Sequence, residues 1–84
     1  MPKRHRDPDI RELLANNVRS LRLERGLSQE GLGQLLGCHR THISHVEQGT
    51  LNLTADNIQK LADVFDVCVA RLFHAPKKEG ASPR

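Results

Sequence analysis

Large aromatic side chains are nearly absent from this 84-residue chain, which has two Phe and neither Trp nor Tyr. Leu, Ile, Val and Ala must therefore supply the hydrophobic core of a single small domain, near the lower size limit for independent folding. So small a core leaves little room for a deep substrate pocket. Runs of β-branched residues are also absent, and helix-forming residues dominate, which predicts an all-α fold.

Cysteine is equally scarce, and neither Cys38 nor Cys68 belongs to a metal-binding pattern. Three histidines follow Cys38, namely His39, His42 and His45. No second pair of Cys or His completes a tetrahedral set with them. Catalysis is not expected either, since Ser44 and His45 are neighbours on a helix and point about 100° apart. We therefore predict no metal site, no cofactor and no enzymatic activity.

No segment is apolar for long enough to span a membrane or to serve as a signal peptide, so we expect a cytoplasmic protein without a membrane partner. Its net charge of +3 is unevenly distributed. Residues 1–45 hold eight Lys or Arg against five Asp or Glu, whereas residues 46–74 hold two against four. The basic part of the chain therefore indicates an acidic partner such as a nucleic acid.

Apolar residues at intervals of three and four predict five helices. The first is expected to begin with Asp7 as its N-cap, followed by Pro8 in the first turn and by Asp9. It should end near Arg25, with an inner face formed by Ile10, Leu13, Leu14, Val18 and Leu21. Ser28 caps a second helix that ends at Gly37 and directs inward Leu32, Leu35 and Leu36. The third helix runs from about His39 to Gln48.

Two further helices are predicted after Gly49. Thr54 caps the fourth helix, whose apolar stripe consists of Ile58, Leu61, Ala62 and Phe65. The fifth covers residues 69–73, with Cys68 as a small apolar filler near its start. We expect residues 7–74 to form the folded domain, residues 1–6 a disordered basic arm, and residues 75–84 a disordered tail.

Residues 28–49, the second and third helices, form the most informative segment. Gly33 would let the two helices cross closely, Gly37 permits a sharp turn, and Ile43 with Val46 would anchor the third helix to the body. The opposite face of the third helix carries only polar side chains, which are Arg40, Thr41, Ser44, His45 and Gln48. This pattern is typical of a helix-turn-helix motif, whose second helix enters the major groove of DNA.

Position on the third helix predicts a role for each polar side chain. Arg40 and Thr41 lie at the end that enters the groove, where Arg40 is able to bind a guanine bidentately and the Thr41 methyl to contact a thymine methyl. Ser44 and His45, one turn further on, complete the predicted base contacts. Phosphate contacts are predicted elsewhere on the two helices, from Gln29, His42 and Gln48.

A longer pattern resembles the Cro/CI-type (XRE-like) DNA-binding domain across residues 14–74. The matching residues are Leu21-Arg22, Gly26-Leu27-Ser28-Gln29, Leu32, Gly37, Ile43-Ser44, Val46-Glu47-Gln48-Gly49, Leu61-Ala62 and Leu72-Phe73. The resemblance implies a compact five-helix, lambda-repressor-like fold and a DNA-binding transcriptional regulator. It also implies an ion pair between Arg22 and Glu47 that orients the site, and phosphate contacts from Arg22 and Asn52.

Two segments are similar to the controller proteins of restriction–modification operons, namely Arg40-Thr41-His42-Ile43-Ser44 and Asn52-Leu53-Thr54. Four positions depart from the family pattern. Gly31 and Gly33 should soften the second helix by about 0.5–1 kcal/mol each relative to Ala. His39 stands at the usual Ser or Thr cap, which it should weaken, and Leu51 stands where controller proteins often have a basic residue.

One such domain contacts few bases, so specific binding is expected to need a homodimer on a (pseudo)palindromic operator. The resemblance implies dimerisation through the C-terminal residues Val67, Val69, Leu72 and Phe73. Leu72 and Phe73 are equally suited to the core of their own chain. An antitoxin that masks a partner toxin has the same fold and is the alternative function. Contact with RNA polymerase is a further expectation.

Overall fold

A computed structural model describes residues 9–50 and 53–75, in which every regular element is an α-helix. The five helices are α1 (Ile10–Glu24), α2 (Gln29–Leu36), α3 (Arg40–Gln48), α4 (Ala55–Phe65) and α5 (Val69–Leu72). The predicted all-α fold with five helices is confirmed. None of these helices is both long and apolar enough to cross a membrane. Leu51, Asn52, the basic arm and nearly all of the tail lie outside the described residues.

The start of α1 differs from the prediction, because its N-cap is Asp9. The Asp9 carboxylate accepts a hydrogen bond from the backbone N–H of Arg11 at 2.8 Å, and the Glu12 side chain accepts one from the Asp9 N–H at 3.3 Å. This reciprocal capping box satisfies donors that a helix start leaves open. Ile10 is thereby the first helical residue, and it is 61% exposed rather than part of the inner face.

The core receives side chains from all five helices, which are Leu14, Val18, Leu21, Leu32, Ile43, Val46, Leu61, Ala62, Phe65 and Leu72. Helix α3 packs mainly against α1 and α2. The prediction that Leu35 points inward is wrong, since this side chain is 59% exposed. Helix α2 buries only Leu32 and Gly33, since the part of the helix that contacts the core does not include all of its apolar side chains.

A buried amide on the apolar face of α1 fixes the end of the domain. The Asn17 Nδ2 donates hydrogen bonds to the carbonyl oxygens of Leu72 at 2.7 Å and His74 at 2.9 Å. These bonds hold the short helix α5 against α1, and the bond to Leu72 satisfies a carbonyl that the helix end leaves open. The sequence prediction missed this role, although an Asn within an otherwise apolar stripe was the signal for it.

Candidate nucleic-acid interface

The turn between α2 and α3 is tight around Gly33 and Gly37. Gly37 has φ +77°, a left-handed conformation that favours glycine. The Cys38 N–H donates to the Gly33 carbonyl at 2.8 Å. A Cβ at Gly33 would lie 2.6 Å from the Cys38 carbonyl oxygen, well inside contact distance. The close helix crossing expected at Gly33 is therefore present, and it leaves no room for a side chain.

A polar network holds the C-terminal half of α3 to α1 and α2. The Arg22 Nε and Nη2 donate to the two carboxylate oxygens of Glu47 at 2.7 and 3.1 Å. The Arg22 Nη1 donates to the Leu27 carbonyl at 2.8 Å, and the Gln29 Nε2 donates to Glu47 at 3.2 Å. The side chains of Arg22 and Glu47 are only 11% and 6% exposed. This bidentate pair fixes the orientation of α3 against its neighbours.

An imidazole holds the N-terminal end of α3. The His39 Nδ1 accepts a hydrogen bond from the Thr41 backbone N–H at 3.0 Å and lies 2.9 Å from the Thr41 Oγ1. The sequence predicted a weakened cap at His39, whereas the ring takes the place of the usual Ser or Thr hydroxyl. Arg40 is exposed, and its side chain makes no hydrogen bond or ion pair with the residues that the structure describes.

The outer face of α3 brings together the four side chains predicted to contact bases. Arg40, Thr41 and His45 are exposed, and the half-buried Ser44 accepts a hydrogen bond from the Gln48 Nε2 at 3.2 Å. Their polar groups face away from the core, where α3 is held by Ile43 and Val46. Most of this face is therefore accessible from solvent.

His42 lies apart from those four side chains. It is half-buried and lines a cleft of about 250 Å³ together with Asn57 and Lys60 of α4. Gln29, the other predicted phosphate contact at this end of the motif, already donates to Glu47. Both side chains thus already have contacts within the chain, unlike the exposed Arg40.

The two cysteines lie in different surroundings. Cys38 is half-buried, and burial raises the pKa of its thiol while the positive charge of Lys60 acts in the opposite direction. Cys68 is exposed at the N-cap of α5, outside the packed face of that helix, so its prediction as an apolar filler is wrong. Among the described residues, no group of three or more His, Cys, Asp or Glu is arranged to hold a metal ion.

The four C-terminal residues predicted to form a dimer interface separate into two kinds. Leu72 is 0% exposed and belongs to the core, so it has no surface for a second chain and its prediction as an interface residue is wrong. Val67 and Phe73 are partly buried against the core. Val69 is more exposed, at 36%. The three residues other than Leu72 keep accessible apolar surface.

Comparison with known proteins places the site in a family. A sequence profile of the helix-turn-helix family matches residues 18–68. Control protein C.SmaI of Serratia marcescens is 44% identical over 64 residues, which cover 76% of each chain. The family profile covers α2, α3 and the Arg22–Glu47 pair.

Solved structures share the same fold. A hypothetical transcription factor from Neisseria superposes with a TM-score of 0.80 at 34% identity, over 96% of this chain and 94% of that one. The restriction-modification controller protein C.Esp1396I, a tetramer in complex with its natural 35 base-pair operator, superposes with a TM-score of 0.69 at 25% identity. That match covers 80% of this chain and 88% of the other.

Proposed function

Because the chain belongs to the helix-turn-helix family of DNA-binding transcriptional regulators, we propose that it is a restriction–modification controller protein that binds its operator as a homodimer. The observation that carries this proposal is the exposed polar face of α3, held from behind by the Arg22–Glu47 pair. Relatives named as control proteins support the subgroup. They do not favour the antitoxin alternative.

Arg40 is the central base contact of this proposal. Its guanidinium has no partner among the described residues and lies at the end of α3 that would enter the major groove. A guanine offers two acceptors there, and one bidentate arginine contact discriminates between bases by about 1–3 kcal/mol. Thr41, Ser44 and His45 share the same surface and would complete the set of base contacts.

Phosphate contacts would surround that surface. Gln29, His42 and Gln48 are the candidates on α2 and α3, and Asn52 lies outside the described residues. Arg22 already uses three of its five N–H groups within the chain, which leaves two for a phosphate. We therefore assign Arg22 first to the orientation of α3 and second to DNA. Binding through phosphates should fall steeply as salt rises.

A homodimer would supply the second half of the contact surface. We assign its interface to Val67, Val69 and Phe73, which keep accessible apolar atoms near the C-terminal end of the described domain. Two α3 helices about 34 Å apart would then enter successive major grooves of a (pseudo)palindromic operator. Sedimentation of the full chain, with and without DNA, measures this assembly.

The remaining assignments follow from a role on promoter DNA. We place the protein in the cytoplasm and assign it no catalytic activity. Contact with RNA polymerase stays a prediction, which transcription assays with purified polymerase would test.

Replacement of Arg40 tests the function most directly. The probe is a duplex that the wild-type chain selects from a random-sequence library. Arg40→Ala should bind it about ten- to a hundredfold more weakly in a gel-shift titration and lose discrimination at one base pair. Arg19→Ala is the matched control, because it removes the same charge from an exposed position on α1. Equal losses in both variants would contradict a base contact by Arg40.

A further inference from the structure

Four helices begin at a residue whose side chain accepts a hydrogen bond from the first turn. Ser28 and Thr54 use hydroxyl groups and Asp9 uses a carboxylate, which keep their protonation states between pH 6 and 8. Helix α3 uses the Nδ1 of His39. Among the side-chain caps in the described ranges, this is the one imidazole acceptor, and an imidazole nitrogen that carries a proton can only donate.

The His39 ring can hold Thr41 in this way in only one protonation state. An imidazole nitrogen accepts a hydrogen bond through its single lone pair, so Nδ1 must carry no hydrogen. The Thr41 N–H and Oγ1 both lie within hydrogen-bond distance of that nitrogen, at 3.0 and 2.9 Å. Once protonated, Nδ1 is a hydrogen-bond donor. It is then able to donate to the Thr41 Oγ1, but it no longer accepts a hydrogen bond from the Thr41 backbone N–H.

A charge on the His39 ring would lie at the positive end of the α3 dipole. The groups around the ring are Glu30 and Gln34 of α2, Cys38 of the turn and Arg40 of α3, which line one open groove with it. The Thr41 N–H donates to His39 and to neither Glu30 nor Arg40.

We propose that His39 is a positioning residue for Thr41 and holds the start of α3 only as a neutral imidazole, so that specific DNA binding weakens when the ring is protonated. This inference rests on the proposed function of α3. Direct DNA contacts by His42 or His45 would have the opposite effect on affinity. Protonation of either ring would add positive charge near phosphate and strengthen binding. Substitution of those two histidines therefore separates the effects.

The first experiment uses the free full-length chain and no DNA. Long-range ¹H–¹⁵N NMR spectra at pH 8 should show the His39 proton on Nε2, and the Thr41 amide shift should follow the titration of His39. His39→Ser restores a hydroxyl cap and should remove this titration of Thr41. His45→Gln, the matched control, should preserve it. A proton on Nδ1 at pH 8, or an unchanged Thr41 titration in His39→Ser, would overturn the proposal.

The second experiment measures affinity for the duplex selected by the wild-type chain, in a background carrying His42→Gln and His45→Gln. Affinity should fall about fivefold from pH 8 to pH 6, the size expected for loss of a helix cap. Addition of His39→Ser should make affinity independent of pH, whereas His39→Ala should weaken binding at both values. A pH-independent affinity with His39 intact would overturn its role in DNA binding.

The two experiments also separate this inference from the proposed function. If the chain selects no duplex while the Thr41 amide titrates with His39, the DNA-binding proposal fails and with it the functional part of the inference. If Arg40→Ala loses affinity as expected while the pH series is flat, the proposed function stands and the inference about His39 is wrong.

Discussion

The two ends of α3 are joined to the rest of the domain by contacts of different strength. At the C-terminal end, Glu47 forms a bidentate and nearly buried ion pair with Arg22. At the N-terminal end, the exposed ring of His39 caps the helix, and the preceding turn crosses α2 at Gly33. The firmer attachment is therefore remote from Arg40, the side chain proposed to contact a base.

This difference separates orientation from local fit. Removal of one partner of a buried ion pair typically costs about 3–5 kcal/mol, whereas loss of a helix cap costs about 1 kcal/mol. We infer that the Arg22–Glu47 ion pair fixes the orientation of α3 relative to α1. We expect the first turn, held by His39, to be the part of the helix that adjusts to DNA at a small cost in free energy.

Disruption of the Arg22–Glu47 ion pair at the C-terminal end of α3 should have the largest effect on stability. Glu47→Gln leaves the charge of Arg22 nearly buried without a counter-ion, which should lower the free energy of unfolding by about 3 kcal/mol. Arg22→Met should cost a similar amount, because it strands the Glu47 carboxylate and removes the donor to the Leu27 carbonyl. Urea denaturation of each full-length variant measures these changes.

A double variant supplies the control. Arg22→Met combined with Glu47→Leu leaves no charge unpaired, so its loss of stability should be clearly smaller than the sum of the single losses of Arg22→Met and Glu47→Leu. Strictly additive losses would show that the two side chains are not energetically coupled. The contrast between the two ends of α3 would then be wrong.

The helices and the Arg22–Glu47 network at the C-terminal end of α3 were predictable from the sequence only in part. Periodic apolar residues predict helices because a helix is a local structure, and the positions of α2, α3 and α4 follow from them together with Ser28 and Thr54 as caps. The Arg22–Glu47 pair came from a family resemblance, since side chains on different helices meet only through the fold. The bonds of Arg22 to Leu27 and of Gln29 to Glu47 were not predicted for the same reason.

The spacing of apolar residues also does not determine how many of them are buried. It places a side chain on the apolar face of a helix but does not show how much of that face contacts the core, so Leu35 was predicted to be buried although it is exposed. It could not decide whether Leu72 packs within its own chain or against another. The His39 cap needed the position of the imidazole relative to Thr41, which residue identity alone does not provide.

The next largest effect is expected where α2 meets the turn before α3. Gly33→Ala gains helix propensity, but its Cβ would lie 2.6 Å from the backbone oxygen of Cys38, which moves only if the turn moves. We expect a net loss of about 2 kcal/mol in the free energy of unfolding, the scale of an overpacked contact. Thermal denaturation measures it, and weaker binding to the selected duplex should accompany it.

The smallest effect is expected from the same substitution two positions earlier. A Cβ at Gly31 would lie 3.7 Å from the Leu27 Cδ2 and 3.2 Å from the Ser28 Oγ, which accepts the capping hydrogen bond from the Gly31 N–H at 2.8 Å. We expect this hydroxyl to move slightly and to keep that bond. Gly31→Ala should therefore stabilise the chain by about 0.5 kcal/mol through helix propensity. Opposite signs for the two substitutions in one melting experiment would locate the constraint at the crossing beside Cys38. Stabilisation by both would mean that the turn yields easily, and the N-terminal end of α3 would then depend on the His39 cap alone.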